Sequence, residues 1–221
     1  MPHALLEGFQ HFRTTDLARY RERYRRLAEE GQQPPVLFVG CSDSRVVPDL
    51  LTASGPGDLF VVRTVGAIVG PHETPGEPTQ AAAEFAVGAL GVRDIVVCGH
   101  SQCGAMKALD AGAPDDMPHL QHWLAQVADA ALPAEERADL APAEAAHRLE
   151  RRAVLLGLER LAANPLVADR RARGQLTLHG WHLDLATQDV EAFDPATSRF
   201  RPLEEVLGDA ADDAEATADD A

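Results

Sequence analysis

The chain has 221 residues, enough for one domain with a sizeable core, and its 45% hydrophobic and 25% charged residues are those of an ordinary globular protein. A net charge of -15, from 35 acidic against 20 basic residues, argues against nucleic acid as a partner, because phosphate binding needs an excess of lysine and arginine. No apolar run is long enough to span a bilayer, and Met1 to Arg13 lacks the apolar core and cleavage site of a signal peptide, so no membrane partner is expected and the expected compartment is the cytoplasm.

In chain order, residues 4–30 read as two helices broken near Thr14-Thr15-Asp16, with Thr15 or Asp16 as N-cap. Pro35 to Cys41 is a short apolar run rich in β-formers, which predicts a buried strand that delivers Cys41 into a loop. Asp58 to Arg63 and Asp94 to Gly99 predict two more strands, and between them Pro78 to Leu90 has helix-forming composition with Thr79 as cap. A helix is expected from Gly104 through Leu109. A longer one runs from about Pro142 to Ala162, with Val154, Leu155, Leu158, Leu161 and Ala162 at core-facing spacing. Gln175 to His179 and Trp181 to Leu185 read as a final strand or bent strand pair, and Asp194-Pro195 as a turn.

Apolar strands alternating with helices imply an α/β fold: a mainly parallel central sheet flanked by helices. No repeat or linker interrupts residues 1–206, so the expected organisation is a single domain over 1–206 with residues 1–30 as a helical arm. Residues 207–221 carry Asp209, Asp212, Asp213, Glu215, Asp219 and Asp220 and no base, the composition of a solvated, disordered acidic tail.

The chemistry concentrates in two stretches, Cys41-Ser42-Asp43-Ser44-Arg45 and His100-Ser101-Gln102-Cys103-Gly104. Each follows a predicted strand, at the carboxyl end where open α/β sheets bind ligands. Two thiolates and an imidazole form a donor set that zinc favours, and three protein ligands leave a fourth tetrahedral position for a reactive water. An odd, clustered set of three cysteines (Cys41, Cys98 and Cys103) fits a metal site in a reducing compartment better than a disulfide framework. Asp43 lies two residues from Cys41, on the same side of extended backbone, and Arg45 two further on can hold that carboxylate through its planar fork. Cys98 also alternates toward His100, but it reads as a core cysteine because the matching ligand positions are already filled. His72, His119 and His122, in or near loops, read as surface histidines that are also candidates for passing protons to solvent.

The paired motifs CSDSR and GHSQCG closely resemble those of the β-class carbonic anhydrases. The resemblance extends from about Gly31 to Pro202, through Pro56–Val69, Glu84-Phe85-Ala86-Val87 and Leu178–Pro195. It implies one Zn2+ per chain on Cys41, His100 and Cys103, a catalytic dyad of Asp43 and Arg45, and reversible hydration of carbon dioxide to bicarbonate and a proton by hydroxide held on zinc. It also implies substrate contacts from Gln32, Phe60, Val65, Phe85 and the Gly104 backbone N–H. Gln32 is expected to reach the site of a neighbouring subunit, with Gln33 as the adjacent alternative. Homo-oligomers, dimers or dimers of dimers, with the N-terminal helices packing on a partner subunit, are implied as well. Two other functions share the fold: a zinc hydrolase acting on carbon disulfide or carbonyl sulfide, and a non-catalytic scaffold. The intact Asp43–Arg45 pair counts against the scaffold.

The chain departs from the family pattern in places. Phe85 stands where plant-type members have tyrosine, and Arg63-Thr64-Val65-Gly66-Ala67 lacks both asparagines of the family's Arg-Asn-x-x-Asn segment. Some bacterial members close their site when the aspartate moves onto zinc, with bicarbonate held nearby by a Trp–Arg–Tyr set. Here Arg63 matches the arginine, but Phe38 and Leu183 fall at or near the other two positions and supply no donor. An open site, with Asp43 paired to Arg45, is therefore expected.

Overall fold

A computed structural model describes residues 3–209. It begins with helix α1 (His3–His11), a π-helical stretch Phe12–Asp16 and α2 (Leu17–Glu30), which form one unbroken helical arm rather than two capped helices. The reason is local. Thr14 turns its hydroxyl back to the Gln10 carbonyl at 2.9 Å, so this side chain is satisfied inside the helix, and Asp16 stays helical and caps nothing. No residue of this arm is buried.

The remaining elements are β1 (Val36–Cys41), α3 (Pro48–Leu51), β2 (Leu59–Thr64), α4 (Pro78–Phe85), β3 (Asp94–His100), α5 (Gly104–Ala111), α6 (Pro118–Ala125), α7 (Ala134–Ala138), α8 (Pro142–Ala163), α9 (Pro165–Ala172), β4 (Thr177–Leu183), β5 (Val190–Asp194) and β6 (Arg199–Pro202). The six strands form a single sheet in the order β2-β1-β3-β4-β5-β6. The first four are parallel and the last two antiparallel, so the α/β, mainly parallel expectation holds.

One face of the sheet buries Leu37, Val39, Ile95 and Val97 against Ala83, Val87, Val154, Leu161 and Val167 of the helices. The other carries Phe38, Val96, Cys98 and Leu183, with half-buried Trp181 packed edge-on to Phe38. Apolar side chains on both faces explain why β1 and β3 are continuous apolar runs rather than alternating ones. Gly99 lets α8 close on the sheet, since a Cβ there would lie 2.7 Å from a Val154 methyl.

Several local expectations are corrected. The cap of α4 is Glu77, whose carboxylate accepts from the Gln80 N–H at 2.6 Å, while Thr79 is turned inward to donate to the Ile68 carbonyl. The helix changes to a π-helical turn over Ala86–Leu90. On α8 the buried side is Ala145, Leu149, Glu150, Val154, Gly157 and Leu161, with Leu155, Leu158 and Ala162 only half-buried. Residues 175–185 hold one strand, β4, and the Asp194-Pro195 turn proves to join a β5–β6 hairpin that the sequence did not announce. Residues 207–209, expected to belong to the acidic tail, are helical with 203–206, and Arg201 pairs with both Glu205 and Asp209. The rest of that expected tail, 210–221, lies outside the described residues. Among the described residues no helix is long and apolar enough to cross a membrane.

Candidate metal centre

Cys41 is the last residue of β1 and His100 the last of the adjacent β3, so the sheet itself sets two of the three donors side by side. The third arrives through a tight turn. Ser101 is pinned by its N–H to the Leu183 carbonyl and by its hydroxyl to the Leu185 N–H, and Gln102 takes the left-handed conformation at φ +58°, uncommon for a residue with a Cβ. Cys103 then stands at the start of α5. The sulfurs of Cys41 and Cys103 and a ring nitrogen of His100 lie within 4.8 Å of one another, and all three residues are buried.

This cluster fits a soft divalent metal. His100 Nδ1 lies 2.9 Å from the Ser101 carbonyl, which assigns its proton there and leaves the Nε2 lone pair free. That Nε2 is buried with no hydrogen-bond partner among the described residues. A buried nitrogen acceptor without a donor, facing two thiols, has the chemistry of a metal ligand. Cys98 is fully buried with its thiol pushed up to about 12, first by burial and then by Cys41, which fits the expected core cysteine.

The two ligand thiols are unequal. Cys41 is pushed down to about 4, first by a hydrogen bond from Cys103, then against the cost of burial by His100 and by the backbone N–H groups of Asp43 and Gly66. Those two N–H groups lie 3.4 and 3.3 Å from its sulfur. Cys103 is pushed up by the same shared hydrogen bond and by burial, while the N–H groups of Met106 and Ala105 oppose the rise. Gly66 is required where it stands: φ is +80°, and a Cβ would come within 2.9 Å of the Ala105 methyl.

Asp43 borders the cluster, with Oδ2 4.0 Å from His100 Nε2. Arg45 grips it at both oxygens, Nε to Oδ1 at 2.9 Å and Nη2 to Oδ2 at 2.7 Å, and the Arg45 backbone N–H adds a third bond at 3.0 Å. The Arg45 side chain and then its N–H hold the Asp43 carboxyl well below the usual carboxylate range. Arg63 acts on the backbone instead. It donates to the carbonyls of Cys41 (3.0 Å) and Asp43 (2.6 Å), tying β2 to the ligand loop.

Other expected site residues are spread out. Val65 follows directly on Thr64, the register partner of Cys41, and its carbonyl accepts from Trp123 Nε1 on α6 at 2.8 Å. Its side chain and that of Phe85 are exposed. Gly104 opens α5, and nothing stands within 4 Å of the position its Cβ would take. Phe60 stacks on Phe85 with ring centroids 5.8 Å apart, but its register partner is Leu37, four residues before Cys41 and so about 13 Å back along the strand. Gln32 and Gln33 lie exposed between α2 and β1. Within one chain, Val65 and Gly104 thus adjoin the cluster, whereas Phe60 lies well back from the level of Cys41 along the sheet. Sequence reasoning missed Gly66, Trp123, Glu150 and His182. Only Glu150 left a trace, a charged residue at the core-facing spacing of α8.

Comparison with known proteins agrees with this geometry. Residues 36–190 match the family model described as carbonic anhydrase. A carbonic anhydrase of Pseudomonas aeruginosa is 41% identical over 206 residues, covering 91% of either chain. Carbonic anhydrase 1 of Escherichia coli O157:H7 is 40% identical over 90% of this chain and 91% of its own length. Among solved structures, the β-carbonic anhydrase CcaA superposes with a TM-score of 0.86 at 35% identity, covering 90% of both chains. A tetrameric β-carbonic anhydrase from Sordaria macrospora gives 0.77 at 29% identity, covering 86% of this chain and 95% of its own. With a parallel sheet that ends in two thiols and an imidazole, and relatives of this similarity along nearly its whole length, the chain belongs to the β-class carbonic anhydrase family.

Proposed function

We propose that this chain is a cytoplasmic zinc enzyme that interconverts carbon dioxide and bicarbonate, with one Zn2+ held by Cys41, His100 and Cys103. The observation that carries the reading is the Asp43–Arg45 pair set against the three donors, since a metal site kept for stability alone has no use for a clamped carboxylate at its edge. When bound, zinc supplies the Lewis acidity that makes hydroxide available near neutral pH.

The residues do the rest. Asp43, kept ionised and immobile by Arg45, accepts a hydrogen bond from the nucleophile's proton and so leaves a lone pair directed at carbon. The Gly104 N–H, at the start of α5, is placed for negative charge growing on the substrate oxygen. Two anionic sulfur ligands weaken Lewis acidity compared with neutral imidazoles. The N–H groups of Asp43 and Gly66 on Cys41 draw some of that charge back.

Val65 lines the near wall of the pocket. Phe60, Phe85 and Gln32 complete a pocket across a subunit boundary, which fits the distance of Phe60 from the Cys41 level along the sheet and the exposure of Phe85 and Gln32. The working unit is then a homodimer or a dimer of dimers, as in the tetrameric relative. Stopped-flow hydration of carbon dioxide by the zinc-loaded protein, run beside a carbon disulfide assay, tests the reading. Hydration well above buffer is expected, and a rate equal to buffer overturns it.

A further inference from the structure

Against the ligand turn, α8 carries a buried glutamate, Glu150, where its helical neighbours Leu149, Val154 and Gly157 are core. The Glu150 side chain is 1% exposed, and His182 of β4, 2% exposed, lies against it. One carboxylate oxygen accepts the Cys103 backbone N–H at 3.1 Å, and the other lies 3.1 Å from His182 Nε2. His182 is held in turn: its ring packs on His147 with centroids 5.7 Å apart, and Nδ1 is 3.9 Å from Glu191, which is itself paired with Arg151.

A buried carboxylate is costly unless its oxygens are satisfied, and here both are, one of them by a metal-ligating residue's own backbone. The N–H it accepts has no alternative. Cys103 is the N-cap residue of α5, so its amide lies outside the helical ladder, and it follows a residue in the unfavoured left-handed region. Without Glu150 the buried Cys103 N–H has no partner among the described residues, and the strained turn is left with the Ser101 bonds and the Arg45 bond to the Gln102 carbonyl.

We propose that Glu150, oriented by His182, is the positioning residue of the metal centre: it fixes the Gln102–Cys103 turn so that the Cys103 sulfur meets the same ion as Cys41 and His100. This rests on the metal-site reading above. It assigns a second function to a helix otherwise occupied with the core, and it places the support for the third ligand in β4 and α8 rather than in the ligand loop.

The test compares Glu150→Ala, Glu150→Gln and His182→Ala with the unaltered protein in three measurements: thermal midpoint of the metal-free chain, zinc affinity by chelator competition, and the thiolate-to-metal absorption of the Co2+-substituted protein. Glu150→Ala is expected to weaken zinc binding about 10–100-fold and to alter the cobalt absorption. His182→Ala should do the same to a smaller degree. Glu150→Gln keeps an acceptor oxygen for the Cys103 N–H and should recover most of the affinity.

Altered midpoints with unchanged zinc affinity and cobalt spectra in Glu150→Ala and His182→Ala would reduce the pair to a core feature and overturn the proposal. Equal losses in Glu150→Ala and Glu150→Gln would overturn the acceptor role. If Glu150→Ala does not fold, His182→Ala decides by the same readouts. Failure of the unaltered protein to bind zinc would instead sink the metal-site reading itself.

Discussion

Around Cys41, His100 and Cys103 nearly every polar group has a partner within the chain: Asp43 has three donors from Arg45, the Cys41 sulfur has two backbone N–H groups, and the Cys103 amide has Glu150. The arm of residues 3–30 is the opposite case. It has no fully buried residue, leaves Leu5, Leu6, Phe9 and Tyr24 exposed, and is tied to the body through an Arg23–Asp58 ion pair and half-buried Tyr20 and Leu27 beside Gly55 and Gly57. A folded helix whose apolar side chains face outward is stable only if something else covers them. The contrast separates two kinds of information: the three-donor cluster is supported inside one chain, and the arm's exposed apolar side chains are left for the homo-oligomer proposed above.

Removing a ligand should give the largest effect and should leave the arm untouched. Cys41→Ala or Cys103→Ala is expected to lower zinc affinity at least about 100-fold, read by chelator competition, with no change in sedimentation. Next comes the dyad. Asp43→Asn preserves shape but removes the charged acceptor, so zinc should stay stoichiometric while turnover falls about 10²–10⁴-fold. Arg45→Ala should follow it, because Asp43 loses the guanidinium bond at each oxygen and keeps only the backbone N–H on Oδ1. Wild-type turnover in Asp43→Asn would show that the pair is structural only.

How far the sequence reached follows the same division. The three donors and the Asp43–Arg45 pair were legible because β1 and β3 are apolar runs buried on both faces, and a residue at or just past the end of such a strand has few places to go. The Asp43–Arg45 pairing expected for an open site is present. The supports were illegible because they come from far away in the chain: Gly66, Glu150 and His182 meet Cys41 and Cys103 only once the sheet is assembled. Arg63 was legible as an important arginine but not as a clamp on two backbone carbonyls. The β5–β6 hairpin escaped because its strands are short and half-buried, with no long apolar run to mark them. The unbroken arm escaped because Thr15 and Asp16 look like cap residues, whereas Asp16 is helical and caps nothing and Thr14 bonds back to Gln10.

The comparison sharpens if the arm can be altered without touching the ligands. Phe9→Glu, or removal of residues 1–30, should shift the protein toward monomer in sedimentation velocity while leaving zinc stoichiometry unchanged. If Phe60, Phe85 and Gln32 work across a subunit boundary, turnover should fall in step with dissociation. A fully active monomer would place the whole pocket within one chain.

The smallest effect expected concerns the anchor of the arm itself. Arg23 and then the Gly55 N–H hold the Asp58 carboxyl below its ordinary value. A depressed folded value means that the pair's contribution is fully present above the ordinary carboxylate range, near pH 4, and is lost as pH falls through the depressed value. The pair is partly exposed, so screening keeps it weak, and its loss should loosen the arm without unfolding the sheet. Proteolysis or hydrogen exchange should therefore show the arm of Arg23→Gln or Asp58→Asn opening more readily at neutral pH, to the level the unaltered chain reaches only in acid. The variants and the unaltered chain should converge once pH has fallen through the depressed value of Asp58, where that side chain no longer carries charge. Identical protection of the arm at pH 7 in all three proteins would mean that the apolar contact of Leu27, together with a covering partner, holds the arm without the ion pair.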